Sequence, residues 1–164
     1  MKNLILIFVM FFVFISKNIK SDNTVEYISE GSAATDIKSF KLSNGSEFST
    51  FESKGSWTDN FGNYGKNQCK GVVDKGINNN VSVIVMCESE DKNGYKTWSL
   101  NKRDGEFVGG VGANEIVDTT IPKKKLYIGT KCKFAIKYLD EMNFYKNKCK
   151  ISKELAEVFE KISR

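Results

Sequence analysis

The 164-residue chain has no histidine. That absence removes Ser-His-Asp and Cys-His catalysis, histidine-based metal sites and the commonest general base. An enzyme made from this sequence would have to use carboxylates, tyrosines or lysines. Asp59, Glu88, Glu90, Asp91 and Tyr95 are available, but no spacing pairs two of them, and each reads as a turn or strand residue. Arginine is nearly missing as well, occurring only as Arg103 and Arg164 among 25 basic residues. Nucleic-acid recognition leans on the arginine fork, so nucleic acid is a disfavoured partner. The one proline, Pro122, is expected in a loop or at a strand start, because it cannot donate to a sheet ladder. No C-x-x-C pair occurs, and the cysteine spacings match no zinc finger. Asp91-Lys92-Asn93-Gly94 would put Ser89 and Leu100 where a calcium loop needs carboxylates, so it reads as a hairpin turn. The glycine-rich run from Gly105 to Gly112 lacks the Gly-Lys-Ser/Thr ending of a P-loop and the frame of a dinucleotide fingerprint; it reads as bulges or close backbone approach. No metal and no cofactor is expected.

One apolar run is long, Leu4 to Ile15. At about 12 residues it falls short of the roughly 20 that cross a bilayer as a helix. With Met1-Lys2-Asn3 before it, the run has the order of a secretory signal peptide. Residues 1–21 are expected to be removed, with Ser16 and Ser21 both candidates for the last residue cut away. Residues 22–164 then form a single domain with no transmembrane span, secreted or periplasmic. The net charge of the whole chain is +5. Three of those charges, Lys2, Lys17 and Lys20, lie in the removed segment, which holds no acid, so the domain carries only +2.

Along that domain helical periodicity is nearly absent. Short alternating runs are separated by Gly, Asn and Asp, the pattern of an all-β protein. Turns are expected at Asn44-Gly45, as a two-residue hairpin, and at 59–63, 76–80 and 91–94. The spacing suits an antiparallel β-barrel or strongly curved meander of about 8–10 strands. Val81, Val83, Val85 and Cys87 share one face of a strand and Ile84 and Met86 the other, so both faces are expected to be covered. The cover should come from the C-terminal segment 152–163. There Ser152 is a helix N-cap, and Leu155, Val158, Phe159 and Ile162 make one apolar stripe. This short helix is expected to pack outside the sheet.

The four cysteines, in an exported protein, read as disulfides. Cys69 and Cys87 flank one turn and Cys132 and Cys149 another, so each pair is expected to bridge its own hairpin. The second bridge sets a register in which Lys131 lies opposite Lys150, Lys133 opposite Lys148, and Ala135 opposite Lys146. Lys131, Lys133, Lys137, Lys146, Lys148 and Lys150 would then share one outward face. Like charges directly across strands cost a fraction of a kcal/mol to about 1 kcal/mol. The face is therefore a candidate anion-binding surface, although exposed lysines are also a standard defence against edge pairing.

Gly55-Ser56-Trp57 matches the short Gly-x-Trp signature of lipocalins. The wider set, Gly55-Ser56-Trp57-Thr58-Asp59, Gly62-Asn63-Tyr64-Gly65, Cys69-Lys70-Gly71, Asp91-Lys92-Asn93-Gly94 and Gly109-Gly110-Val111-Gly112, resembles small secreted bacterial β-barrels of the allene-oxide-cyclase-like or calycin-like type. The resemblance spans about residues 46–113 and rests on glycine and aromatic placement. It implies an antiparallel barrel with an apolar interior cavity, which Trp57 and Trp98 would line. It transfers no active-site residue, since such folds serve many functions. The expectation is an exported, non-catalytic binding protein that holds a small apolar ligand in the barrel or an anionic partner on the lysine face. The alternatives are a histidine-free isomerase or cyclase using the cavity, and a structural envelope-associated protein.

Overall fold

The structure, a computed structural model, describes residues 23–106 and 108–164. The export segment expected at 1–21 lies outside the described residues. Eight strands follow one another: β1 (Thr24–Lys41), β2 (Glu47–Asp59), β3 (Tyr64–Lys75), β4 (Val81–Asp91), β5 (Lys96–Gly105), β6 (Gly109–Thr119), β7 (Lys131–Leu139) and β8 (Met142–Ser152). Each pairs antiparallel with the next, and β8 returns to β1 with Cys149 opposite Tyr27, closing the barrel. Closure leaves no free strand edge, which solves the edge problem outright. Among the described residues a single α-helix, α1 (Lys153–Ser163), packs outside the sheet.

Four of the turns share one design. At 42–46, 59–63, 76–80 and 91–95 the first residue's amide donates to the fifth residue's carbonyl, at 2.9 Å each time, and the fourth residue has positive φ: Gly45, Gly62, Asn79 and Gly94. This is the three-residue loop in which a turn is followed by one left-handed residue. The two-residue turn expected at Asn44-Gly45 is therefore a three-residue loop, Ser43-Asn44-Gly45, because only Gly45 takes positive φ. A two-residue loop occurs instead at Asp140-Glu141, between the paired residues Leu139 and Met142.

The turns sort the barrel into two ends. The 42–46, 76–80 and 140–141 turns lie at a hairpin end. The 59–63 and 91–95 turns and the connection from β6 to β7 lie at a helix end. At the hairpin end the lumen is filled by Phe51, Val73, Val81, Val83 and Val85. At the helix end it is filled by aromatic rings: Phe159 of α1 stacks on Tyr27 at 5.1 Å and meets Tyr127 edge-on at 5.3 Å.

Helix α1 starts where the sequence places it. The Ser152 hydroxyl accepts from the Leu155 amide at 3.2 Å, satisfying one of the donors a helix start leaves open. Its apolar stripe closes the barrel end, with Leu155 fully buried and Phe159 nearly so. The helix does not cover the outer wall of β4. Ile84 and Met86, expected to be covered, are 46% and 42% exposed. Residues on that wall point away from the lumen, and α1 is too short to reach around from the end.

Candidate functional site

The interior holds a cavity of about 140 Å³. Within its largely apolar lining runs a belt of polar side chains. Inward positions on β5 are Thr97, Ser99, Asn101 and Arg103, while the larger apolar residues Trp98 and Leu100 face out. From the other walls come Ser29, Ser53, Asn67, Asn114, Asn147 and Tyr145. The Asn67 amide donates to the Tyr145 hydroxyl at 2.7 Å. These residues sit on β3 and β8, so the bond crosses the lumen. The Asn114 amide donates to Asn101 Oδ1 at 2.6 Å, and Asn101 donates in turn to the Ser99 carbonyl at 3.3 Å. Gly31 makes room for this layer, since a Cβ there would lie 2.7 Å from the Tyr145 hydroxyl. Burial pushes the Tyr145 hydroxyl well above the usual tyrosine range, so it stays a neutral donor and acceptor.

The cavity lining has spare acceptors, two in the belt and two at the helix end. Asn63 Oδ1, Asn67 Oδ1, Asn114 Oδ1 and Asp91 Oδ2 are buried without a hydrogen-bond partner, and all four residues line the cavity. An unmade buried hydrogen bond costs roughly 1–3 kcal/mol, so these oxygens call for donors supplied from outside the protein.

Both disulfides form as the sequence predicts, Cys69 with Cys87 and Cys132 with Cys149. Both point into the lumen. Hairpins β3–β4 and β7–β8 stand four strands apart in an eight-stranded barrel, so the two bridges reinforce opposite walls of the cavity.

Trp57 lines the cavity as expected; its indole nitrogen donates to the Lys66 carbonyl at 3.2 Å. Trp98 does not. It lies on the outer wall, where its indole donates to Glu88 Oε2 at 3.0 Å. Lys96 also binds Glu88, at 3.0 Å, and holds that carboxyl below its ordinary value. The sequence does contain the signal for this. With a three-residue loop at 92–94, Cys87 falls opposite Ser99. A disulfide directed inward therefore turns Ser99, Asn101 and Arg103 inward, and Trp98 outward.

Asp59 and Asp91 reach the helix end of the cavity but serve their hairpins. Asp59 Oδ1 accepts from the Phe61 and Asn63 amides, both at 2.9 Å. Asp91 Oδ1 accepts from the Asn93 and Tyr95 amides at 2.8 and 2.9 Å. Burial raises the Asp59 carboxyl despite these bonds. Tyr95 faces the cavity on one side and, with Ile162, an outer groove beside α1 on the other. Glu88 and Glu90 lie outside, paired with Lys96 and Lys66.

The six lysines are all exposed, and Lys133 lies opposite Lys148 as expected. Strand β1 then supplies what the hairpin alone does not show. Glu26 stands opposite Lys150 and Glu30 opposite Lys146. Glu26 pairs with Lys148 at 3.5 Å and Glu30 with Lys146 at 3.0 Å. Glu115 of β6 stands opposite Lys131. Acids on both neighbouring strands offset the cross-strand repulsion, leaving a mixed surface around these lysines.

No protein-family model and no curated protein matches the sequence. Among solved structures, the chain is similar to a conserved protein of unknown function, RPA1785 from Rhodopseudomonas palustris. The two share 10% identity over 80% of this chain and 100% of the other, with a TM-score of 0.63. That likeness is one of fold.

Proposed function

We propose that the protein is an exported, non-catalytic binding protein that holds a small polar molecule inside the barrel. The cavity carries this reading, with its amide and hydroxyl belt and unpartnered Asn67 and Asn114 oxygens. Size narrows the ligand. A cavity of about 150 Å³ holds a benzene ring, whereas drug-sized ligands need roughly 300 Å³ or more. At about 140 Å³, the site fits about six to ten non-hydrogen atoms and excludes a lipid. Two disulfides in one small domain support export, since they persist in oxidising compartments. The groove at Tyr95 and Ile162 offers a route beneath α1. Surface contacts tie that helix at both ends: Lys123 to Glu154 at 2.7 Å, and Asn93 to the Ile162 carbonyl at 2.7 Å. The alternative, histidine-free catalysis, would rest on Asp91. Its Oδ1 does the same turn-capping work as that of Asp59, so the arrangement serves the hairpin.

Native mass spectrometry of protein isolated from the exported fraction of its host tests the proposal. A mass adduct of small-molecule size should be present. It should be lost in Ser99→Phe, which fills the cavity while circular dichroism reports an intact barrel. Absence of an adduct, together with no thermal shift from any small polar compound, would reject the reading.

A further inference from the structure

Arg103 is the most unexpected residue in the barrel. The chain favours lysine almost everywhere, and none of the lysines of the barrel wall is buried. The one arginine of the sheet points inward and is 4% exposed. Its Nη1 donates to the Glu106 carbonyl and, at 2.7 Å, to the Gly109 carbonyl. The guanidinium also donates to the Tyr138 hydroxyl oxygen. These contacts orient the guanidinium but do not neutralise it. Among the described residues no carboxylate forms an ion pair with Arg103. Burying an unpaired charge is among the costliest things a fold can do. The glycine-rich run now has a reason. A Cβ on Gly110 would come within 3.3 Å of Arg103 Nη1, and Gly105, Gly109 and Gly110 all have positive φ. Gly105 and Gly110 thus bring backbone without a Cβ close to the guanidinium.

Resting on the cavity reading above, we infer that the ligand is a small carboxylate that also bears hydrogen-bond donors, a hydroxy or amino acid. Its carboxylate sits on Arg103 and its donors on the asparagine belt. The spacing suits such a molecule. Asn101 lies two residues before Arg103 on the same face of β5, about 7 Å along the strand. Asn101 in turn holds Asn114, whose Oδ1 has no partner. An anion meets the unpaired cation at one end, and a hydroxyl or ammonium meets the spare acceptor at the other. A planar fork recognises carboxylate in a way a lysine cannot reproduce, which accounts for an arginine in a lysine-rich chain.

The presence of only two arginines makes the test direct. In full-length mature protein labelled with 15N-arginine, two side-chain Nε resonances are expected, with Arg164→Gln assigning them. Titration with 4-hydroxybutyrate or 4-aminobutyrate, against sodium chloride at equal ionic strength, should move the Arg103 resonance and leave that of Arg164 in place. Butyrate should bind at least fivefold more weakly, and Asn114→Leu should erase that preference. Arg103→Gln should weaken 4-hydroxybutyrate binding at least tenfold; if it does not fold, the resonance shift in the wild-type chain decides alone. A neutral polar compound binding as well as 4-hydroxybutyrate, with the Arg103 resonance unmoved, would overturn the carboxylate assignment and leave the cavity reading standing. No binding by any of these probes, and no adduct on the native protein, would overturn both.

Discussion

Inward-facing residues of this barrel are chosen for polarity as much as for bulk. The β5 residues show it best: the apolar Trp98 and Leu100 are turned out, and Ser99, Asn101 and Arg103 are turned in. Four of the six tyrosines, Tyr27, Tyr127, Tyr138 and Tyr145, have hydroxyls raised above their ordinary range, in each case chiefly by burial. The sign of the consequence is fixed. Burial favours the neutral phenol, so above about pH 10 the unfolded chain ionises first and the fold loses stability as pH rises. In an alkaline titration, the tyrosinate absorbance of these four should therefore appear together with loss of the circular-dichroism signal. Ionisation of all six tyrosines in a chain still folded would contradict the placement of these rings.

At the level of elements, α1 is a stopper. It presents Leu155 and Phe159 to the lumen end and polar residues to solvent. Its position explains why the sequence supports the helix yet gives a misleading partner for it. The stripe of Leu155, Val158, Phe159 and Ile162 shows that one face must be buried, but not against which surface. Truncating Leu155 to alanine should cost about 2–5 kcal/mol. Ser152→Ala should cost about 1 kcal/mol through the lost cap. Urea unfolding of the two variants checks the ranking. A Leu155→Ala loss no larger than that of Ser152→Ala would mean the helix does not seal the barrel. The hairpins are legible for a related reason. Asp, Asn and Gly at defined positions encode a loop whose geometry is local. The loop length was the harder part, and one residue more or less reverses which face every following side chain takes.

For the whole molecule, the bridges on opposite walls brace a lumen that a continuous apolar core does not fill. Each closes a loop of similar size, with separations of 18 and 17 residues, and contributes about 3 kcal/mol. Replacing Cys132 and Cys149 together by serine should lower stability by about that amount, read from the urea midpoint. A peptide map of the unreduced wild type should join Cys69 to Cys87, and a Cys69–Cys132 fragment would contradict the barrel register. Much of this was legible from residues close in sequence: the alternation of the strands, the turns, both cysteine pairs, the Ser152 cap and the Lys133–Lys148 register all depend on neighbours within about twenty positions. Tertiary structure alone decided the rest, because closing the barrel joins β1 to β8 across more than a hundred residues, as in the Asn147 to Ser29 hydrogen bond. That closure brings Glu26 and Glu30 to the lysines, lays α1 over one end, and makes a lumen in which Arg103 is buried without an ion-pair partner among the described residues. A one-dimensional pattern shows which residues share a face; only the closed sheet shows whether that face is inside.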